Sequence, residues 1–240
     1  MNIPILMYHQ IDVPPMRGTP LRGLIVSPGA FSRQMHFLKL LGYRGLSMRN
    51  LEPYMKGEKQ GRVVGITFDD GYQNNVQNAL PVLIKHGFSA TCYAVSDMIG
   101  GVNSWDQGTG IAQKALMNAD EWRRWLDGGM EVGSHTRTHA DLATLNPEQA
   151  RDEIVNSKRE LEDTLGCEVR HFCYPYGRYT NTTPEIVRSA NYCTATTTHR
   201  GKIHTDDDPY LLKRIMVARA TNLGQFGLKV LSSYEDRRSQ

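Results

Sequence analysis

No apolar run in this chain approaches the roughly 18–20 residues that a membrane-spanning helix needs; the longest core-like stretch, residues 62–68, is strand-sized. Cysteine is scarce. Cys92, Cys167, Cys173 and Cys193 form no C-x-x-C pair, which argues against a structural zinc knuckle. Four thiols in 240 residues do not make a disulfide framework. Basic residues never run longer than two, as at Arg123-Arg124 and Arg237-Arg238, too short for a nucleic-acid stripe. With 28 Lys and Arg against 25 Asp and Glu, the net charge is only +3. Residues 1–7 lack a basic leader, a long apolar segment and a small-residue cleavage site, so the expectation is a cytoplasmic chain. A trimmed exported protein would read the same way. There is no internal repeat and no low-complexity linker.

What remains is an ordinary globular balance, 40% hydrophobic and 22% charged. A length of 240 residues suits one α/β barrel domain spanning residues 1–240. The hydrophobic pattern alternates between strand and helix. Strands are expected at residues 3–8, 62–68, 89–95, 130–134, 169–174, 192–197 and 214–217. Helices are expected from Ser27-Pro28 onward and at 76–86, 118–127, 147–165, 183–190 and 223–231. The helix at 147–165 is the clearest: Asn146 caps it, Pro147 opens it, Gln149 completes a capping box and Gly166 ends it. Such alternation implies a parallel sheet or barrel.

Three groups of polar residues follow predicted strands, at the C-terminal strand ends where barrel active sites gather. Thr67-Phe68-Asp69-Asp70-Gly71 places two adjacent carboxylates directly after a buried strand. Taken alone it would be an Asp-Gly turn. Ser134-His135-Thr136-Arg137-Thr138-His139 offers two histidines four apart, a spacing that lets both reach one metal. With a strand-end aspartate they form a His₂-carboxylate set that leaves positions open for water and substrate. Phe172-Cys173-Tyr174-Pro175-Tyr176-Gly177 forms a tight turn able to aim a backbone N–H at a developing oxyanion.

Together these segments resemble the first three motifs of the NodB-homology polysaccharide deacetylases, carbohydrate esterase family 4, in the family's order, and the likeness extends over roughly residues 3–217. The resemblance implies an irregular (β/α)₇ barrel and a metal-dependent hydrolysis of an N-acetyl group on an amino sugar. It implies that Asp70, His135 and His139 hold a divalent metal. Zinc is the first choice, and cobalt, nickel or iron suit the same set. It implies Asp69 as catalytic base and the Tyr176 backbone N–H as oxyanion donor, with Pro175 beside it. Trp105, in a Gly-rich loop, is a candidate substrate contact, whereas Trp122 and Trp125 at helical spacing suit the core.

Two departures stand out. The family usually ends with a Leu-x-His motif whose histidine protonates the leaving amine, yet no histidine follows Val217. Instead Ile5-Leu6-Met7-Tyr8-His9 opens the chain, an apolar strand ending in histidine. First and last strands are neighbours in a closed barrel, so this opening resembles the circularly permuted branch that includes poly-N-acetylglucosamine deacetylases. It makes His9 the general acid, expected across the metal pocket from Asp69. Secondly, Cys173 stands where many members carry an arginine that orients the base; the permuted branch often lacks it too, and Arg214 is the candidate replacement from another strand. Two other readings share these residues: a catalytically silent saccharide-binding protein, and a non-haem iron oxygenase built on the same ligand set.

Overall fold

A computed structural model describes residues 2–238. In chain order its strands are β1 (Ile5–Tyr8), β2 (Gln10–Ile11), β3 (Ile25–Val26), β4 (Arg44–Leu46), β5 (Val63–Phe68), β6 (Thr91–Ala94), β7 (Glu131–Ser134), β8 (His171–Cys173), β9 (Thr194–Arg200) and β10 (Leu212–Met216). The helices are α1 (Pro28–Leu40), α2 (Met48–Met55), α3 (Leu80–His86), α4 (Ala119–Asp127), α5 (Pro147–Leu165), α6 (Thr183–Ser189) and α7 (Leu223–Leu231).

β1 pairs in parallel with β5 on one side and β10 on the other; β5 to β10 continue in order, and the ring closes with seven strands. The expected neighbours, first and last strand, are joined by Leu6↔Ile215 and Met7↔Met216. β4 pairs with the first half of β5, and the Ser89 N–H, just ahead of β6, bonds to Gly45 O. β4 is thus wedged between β5 and β6 at the floor, which makes the barrel irregular.

Successive strand residues point to opposite sides, and here that separates two cores. Leu6, Tyr8, Ile66, Phe68, Cys92, Val132, Phe172 and Ile215 pack outward under the helices with Trp122 and Trp125. Ile5, Tyr93, Cys173 and Leu212 point inward, where Leu51 and Tyr54 of α2 close the floor. Each fully buried large apolar side chain contributes on the order of 1.5–3 kcal/mol.

The caps follow the sequence. The Ser27 hydroxyl accepts from Ala30 N, and Asn118, Asn146 and Asn222 each form a capping box. Four elements escape the pattern. β2, β3 and β4 are only two or three residues long, too short for a period to register. α2 carries Pro53 internally, a residue that normally argues against a helix. The expected helix at 76–86 divides into a wide π turn, Asn75–Ala79, followed by α3. β9 runs to Arg200, beyond the end expected at 197.

Candidate active site

Asp69 and Asp70 leave the top of β5, His135 leaves β7 and Tyr176 follows β8, so their side chains converge at one end of the ring. They line a cleft of about 280 Å³ together with His9, His139 and Trp105. Backbone strain concentrates there. Of the six non-glycine residues with positive φ among the described residues, Leu21, Asp70, His139 and Tyr176 line the cleft, and Thr136 adjoins His135. Such conformations cost roughly 1–3 kcal/mol each and persist where surrounding contacts enforce them.

The enforcing contacts are visible. A Cβ at Gly71 would stand 2.9 Å from the Trp122 ring, and one at Gly177 would collide with Thr198. Glu153 of α5 accepts from the backbone N–H groups of Arg137 and Thr138 at 2.9 and 3.0 Å, which pins the loop between the two histidines. The π turn aims buried Asn75 at the strand end near His9: its amide donates to His9 O at 2.7 Å and its Oδ1 accepts from Ile11 N at 3.2 Å.

Two polar sets share the cleft. In the first, Asp70 Oδ1 lies 3.4 Å from His135 Nε2 and 3.3 Å from His139 Nε2. The other ring nitrogens are engaged elsewhere: His135 Nδ1 with Cys173 O at 2.8 Å, His139 Nδ1 with Tyr176 Oη at 3.1 Å. Ring nitrogens oriented in this way leave both Nε2 atoms facing one carboxylate oxygen, the arrangement that suits a divalent cation. Burial raises the Asp70 pKa, and hydrogen bonds from His135 and His139 overcome it, so the carboxyl sits well below its ordinary value.

In the second set, Arg214 grips Asp69 through two hydrogen bonds of 2.7 Å. Arg214 is itself fixed by Thr197 O at 2.8 Å, Thr67 Oγ1 at 3.1 Å and Cys173 Sγ at 3.1 Å. Burial pushes Asp69 upward, but the Arg214 charge and hydrogen bonds outweigh it and hold the carboxyl below its usual range. Asp69, His135 and Cys173 also bring ligand atoms together. That grouping has Asp69 and Cys173 already bonded to Arg214, and Cys173 does not line the cleft, so Asp70, His135 and His139 are the better-fitting metal set.

His9 Nε2 lies 3.9 Å from Asp69 Oδ2. The ring therefore stands beside the carboxylate rather than across the pocket, because β1 and β5 are direct neighbours. The Tyr176 N–H has no backbone acceptor among the described residues, and its φ is 59°. Pro175 is buried and does not line the cleft; it shapes the turn instead of contacting a ligand. Trp105 lines the cleft with one indole face against His139, at 4.4 Å between ring centroids, so only its other face is open to a ligand. Glu153 and Asn75 escaped sequence reasoning. The signal for Glu153 was a charged residue on the otherwise buried face of α5; Asn75 offered none.

The family profile described as polysaccharide deacetylase matches residues 56–195. The chain belongs to the polysaccharide deacetylase family. His9 and Arg214 lie outside the matched segment, on the neighbouring ends that close the ring. YxkH of Bacillus subtilis, named for the same family, is 30% identical over 233 residues, covering 96% of this chain and 77% of its own. The poly-β-1,6-N-acetyl-D-glucosamine N-deacetylase of Staphylococcus epidermidis is 25% identical over 207 residues, covering 82% of this chain and 70% of that protein. The Streptococcus pyogenes deacetylase PplD, solved in complex with acetate, superposes with a TM-score of 0.84 at 27% identity, covering 96% of this chain and 98% of that one.

Proposed function

We propose that the protein is a metal-dependent N-deacetylase, with the 240-residue chain acting as one catalytic domain that removes N-acetyl groups from an amino sugar or its polymer. The observation that carries this reading is the pairing of a carboxylate held by Arg214 with a His₂-carboxylate set in one cleft. A divalent cation held by Asp70, His135 and His139, zinc first and cobalt, nickel or iron also suited, would supply Lewis acidity, polarising an amide carbonyl and bringing the pKa of water from 15.7 towards about 7.

Asp69 then takes the proton from the attacking water. Arg214 keeps it ionised and aimed, and a weak base suffices for an acidified water. The free N–H of Tyr176 donates to the developing oxyanion. His9, within reach of the same bound amide, gives a proton to the leaving nitrogen. In this scheme both neighbouring aspartates are needed, whereas an oxygenase would leave Asp69 without a task.

The test is acetate release from a panel of N-acetylated saccharides by metal-stripped enzyme with single metals added back. Acetate should appear only with a divalent cation. Saccharide binding with no acetate under any metal would instead favour the silent binding protein, and turnover that needs oxygen and a 2-oxoacid the oxygenase.

A further inference from the structure

We propose that the Tyr176 side chain is a positioning residue for His139 and, through its own hydroxyl proton, a hydrogen-bond donor to the saccharide. The proposal rests on the deacetylase reading and extends it to the Tyr176 phenol, since the catalytic steps of that reading use only the backbone N–H of this residue.

His139 Nε2 faces Asp70 Oδ1 at 3.3 Å. A cation at that position needs Nε2 without a proton, which puts the ring proton on Nδ1. Nδ1 lies 3.1 Å from Tyr176 Oη. The imidazole N–H therefore donates and the phenol oxygen accepts. A phenol accepting in this way keeps its own O–H for another acceptor. Tyr176 is 50% exposed and lines the cleft, so that second acceptor is a ligand oxygen or water. A donor whose oxygen already accepts a hydrogen bond is strengthened, by about 10–30% per bond.

His139 needs outside support more than its partner does. It sits on a loop at φ 64°, while His135 directly follows β7 and leans on a backbone carbonyl, Cys173 O. The support comes from two aromatics on two other loops. Trp105 stacks on one face of His139 at 4.4 Å and 20°, and Tyr176 meets it edge-on at 4.7 Å and 79°. Trp105 is placed by its own loop, where buried Asn103 bonds Asp106 at 2.7 Å and Lys114 N at 2.6 Å. Tyr176 is placed by the strained turn that Gly177 and Thr198 enforce. The same turn thus sets both the backbone N–H and the phenol, which ties the saccharide contact to the geometry of a metal ligand.

The decisive variant is Tyr176→Phe, which keeps the edge-on ring and the backbone and removes only Oη. Zinc affinity is measured by chelator competition without substrate, and kcat and KM separately at saturating zinc. The expected result is a 10–100-fold loss of zinc affinity together with a raised KM and a smaller change in kcat, the pattern of lost uniform binding. Unchanged zinc affinity overturns the positioning role, and unchanged KM at saturating zinc overturns the donor role. Trp105→Phe, which retains Oη, should lose less affinity than Tyr176→Phe; the reverse order would assign the support to stacking and overturn the primacy of Oη. His139→Ala separates the two levels. If it too binds zinc normally, the metal site itself is wrong; if it loses zinc while Tyr176→Phe does not, only the present proposal falls.

Discussion

The two ends of the barrel hold similar side chains and use them differently. At the upper end His135 and His139 stand 3.4 and 3.3 Å from Asp70. At the floor His171 Nε2 stands 3.4 Å from Glu52 and 3.5 Å from Glu131. Both groups are buried. The cavity beside the floor is the larger, about 430 Å³ against 280 Å³. The contrast lies in where the groups face: at the floor His171 Nε2 and Glu131 Oε1 are buried with no hydrogen-bond partner among the described residues, yet neither residue lines the cavity. Glu52 accepts three hydrogen bonds from Arg170, at 3.0 to 3.2 Å. Glu131 accepts through its other oxygen from Thr91 Oγ1 at 2.6 Å and Arg49 N at 3.0 Å. Above, two imidazole nitrogens and a carboxylate face an open cleft. Donor and acceptor capacity directed at open space, not cavity size, marks the site.

The sharpest way to break this comparison is to remove a histidine from each end. His139→Ala should abolish metal binding and with it essentially all acetate release, while the circular dichroism spectrum stays native. His171→Ala should leave metal content and kcat intact but lower stability, because Glu52 and Glu131 lose their shared partner. A floor variant that lost metal, or an upper variant that kept it, would erase the distinction.

Next come the proposed acid and the proposed base within the upper end. Asp69→Asn should retain metal and lose about 10²–10⁴-fold in kcat, since an amide cannot take the proton; Asp70→Asn should lose metal affinity first. Equal metal loss in both would show that the two aspartates do not have separate tasks. His9→Ala should lower kcat on the amide by about 10²–10⁴-fold with metal unchanged. On an activated aryl acetate, whose leaving group needs no proton, the deficit should shrink. Equal deficits on both substrates would remove His9 as the acid.

The smallest effect belongs to the floor. His171 beside Glu52 outweighs burial, and with Arg170 and Lys56 it holds the Glu52 carboxyl down at about 2. The sign follows from linkage: a carboxyl with a depressed folded pKa stabilises the protein above its unfolded value, and that stability fades as pH falls towards about 2. Glu52→Gln should therefore cost about 1–3 kcal/mol near pH 7, and the difference in melting temperature from the wild type should narrow between pH 5 and 3. A gap independent of pH would mean that Glu52 acts by packing, not charge.

Much of the molecule is set by local sequence. Ser27, Asn118, Asn146 and Asn222 cap their helices with their own side chains, because a cap needs only neighbours in the chain. Strand-end motifs place Asp69, Asp70, His135, His139 and Tyr176 on one rim, because parallel strands share a direction. Tertiary structure decided the rest. Arg214 reaches Asp69 only because β10 and β5 flank β1 in a closed ring, which brings residues 145 positions apart to 2.7 Å. The hold of Asn75 on His9 O and the grip of Glu153 on the histidine loop are likewise long-range contacts with no period or motif to announce them; His9 is legible at its strand end, but its place beside Asp69 instead of across the pocket is not. The sequence by itself determined which residue types stand at the strand ends; ring closure decided which of them touch, because that depends on strand neighbours that no local pattern encodes.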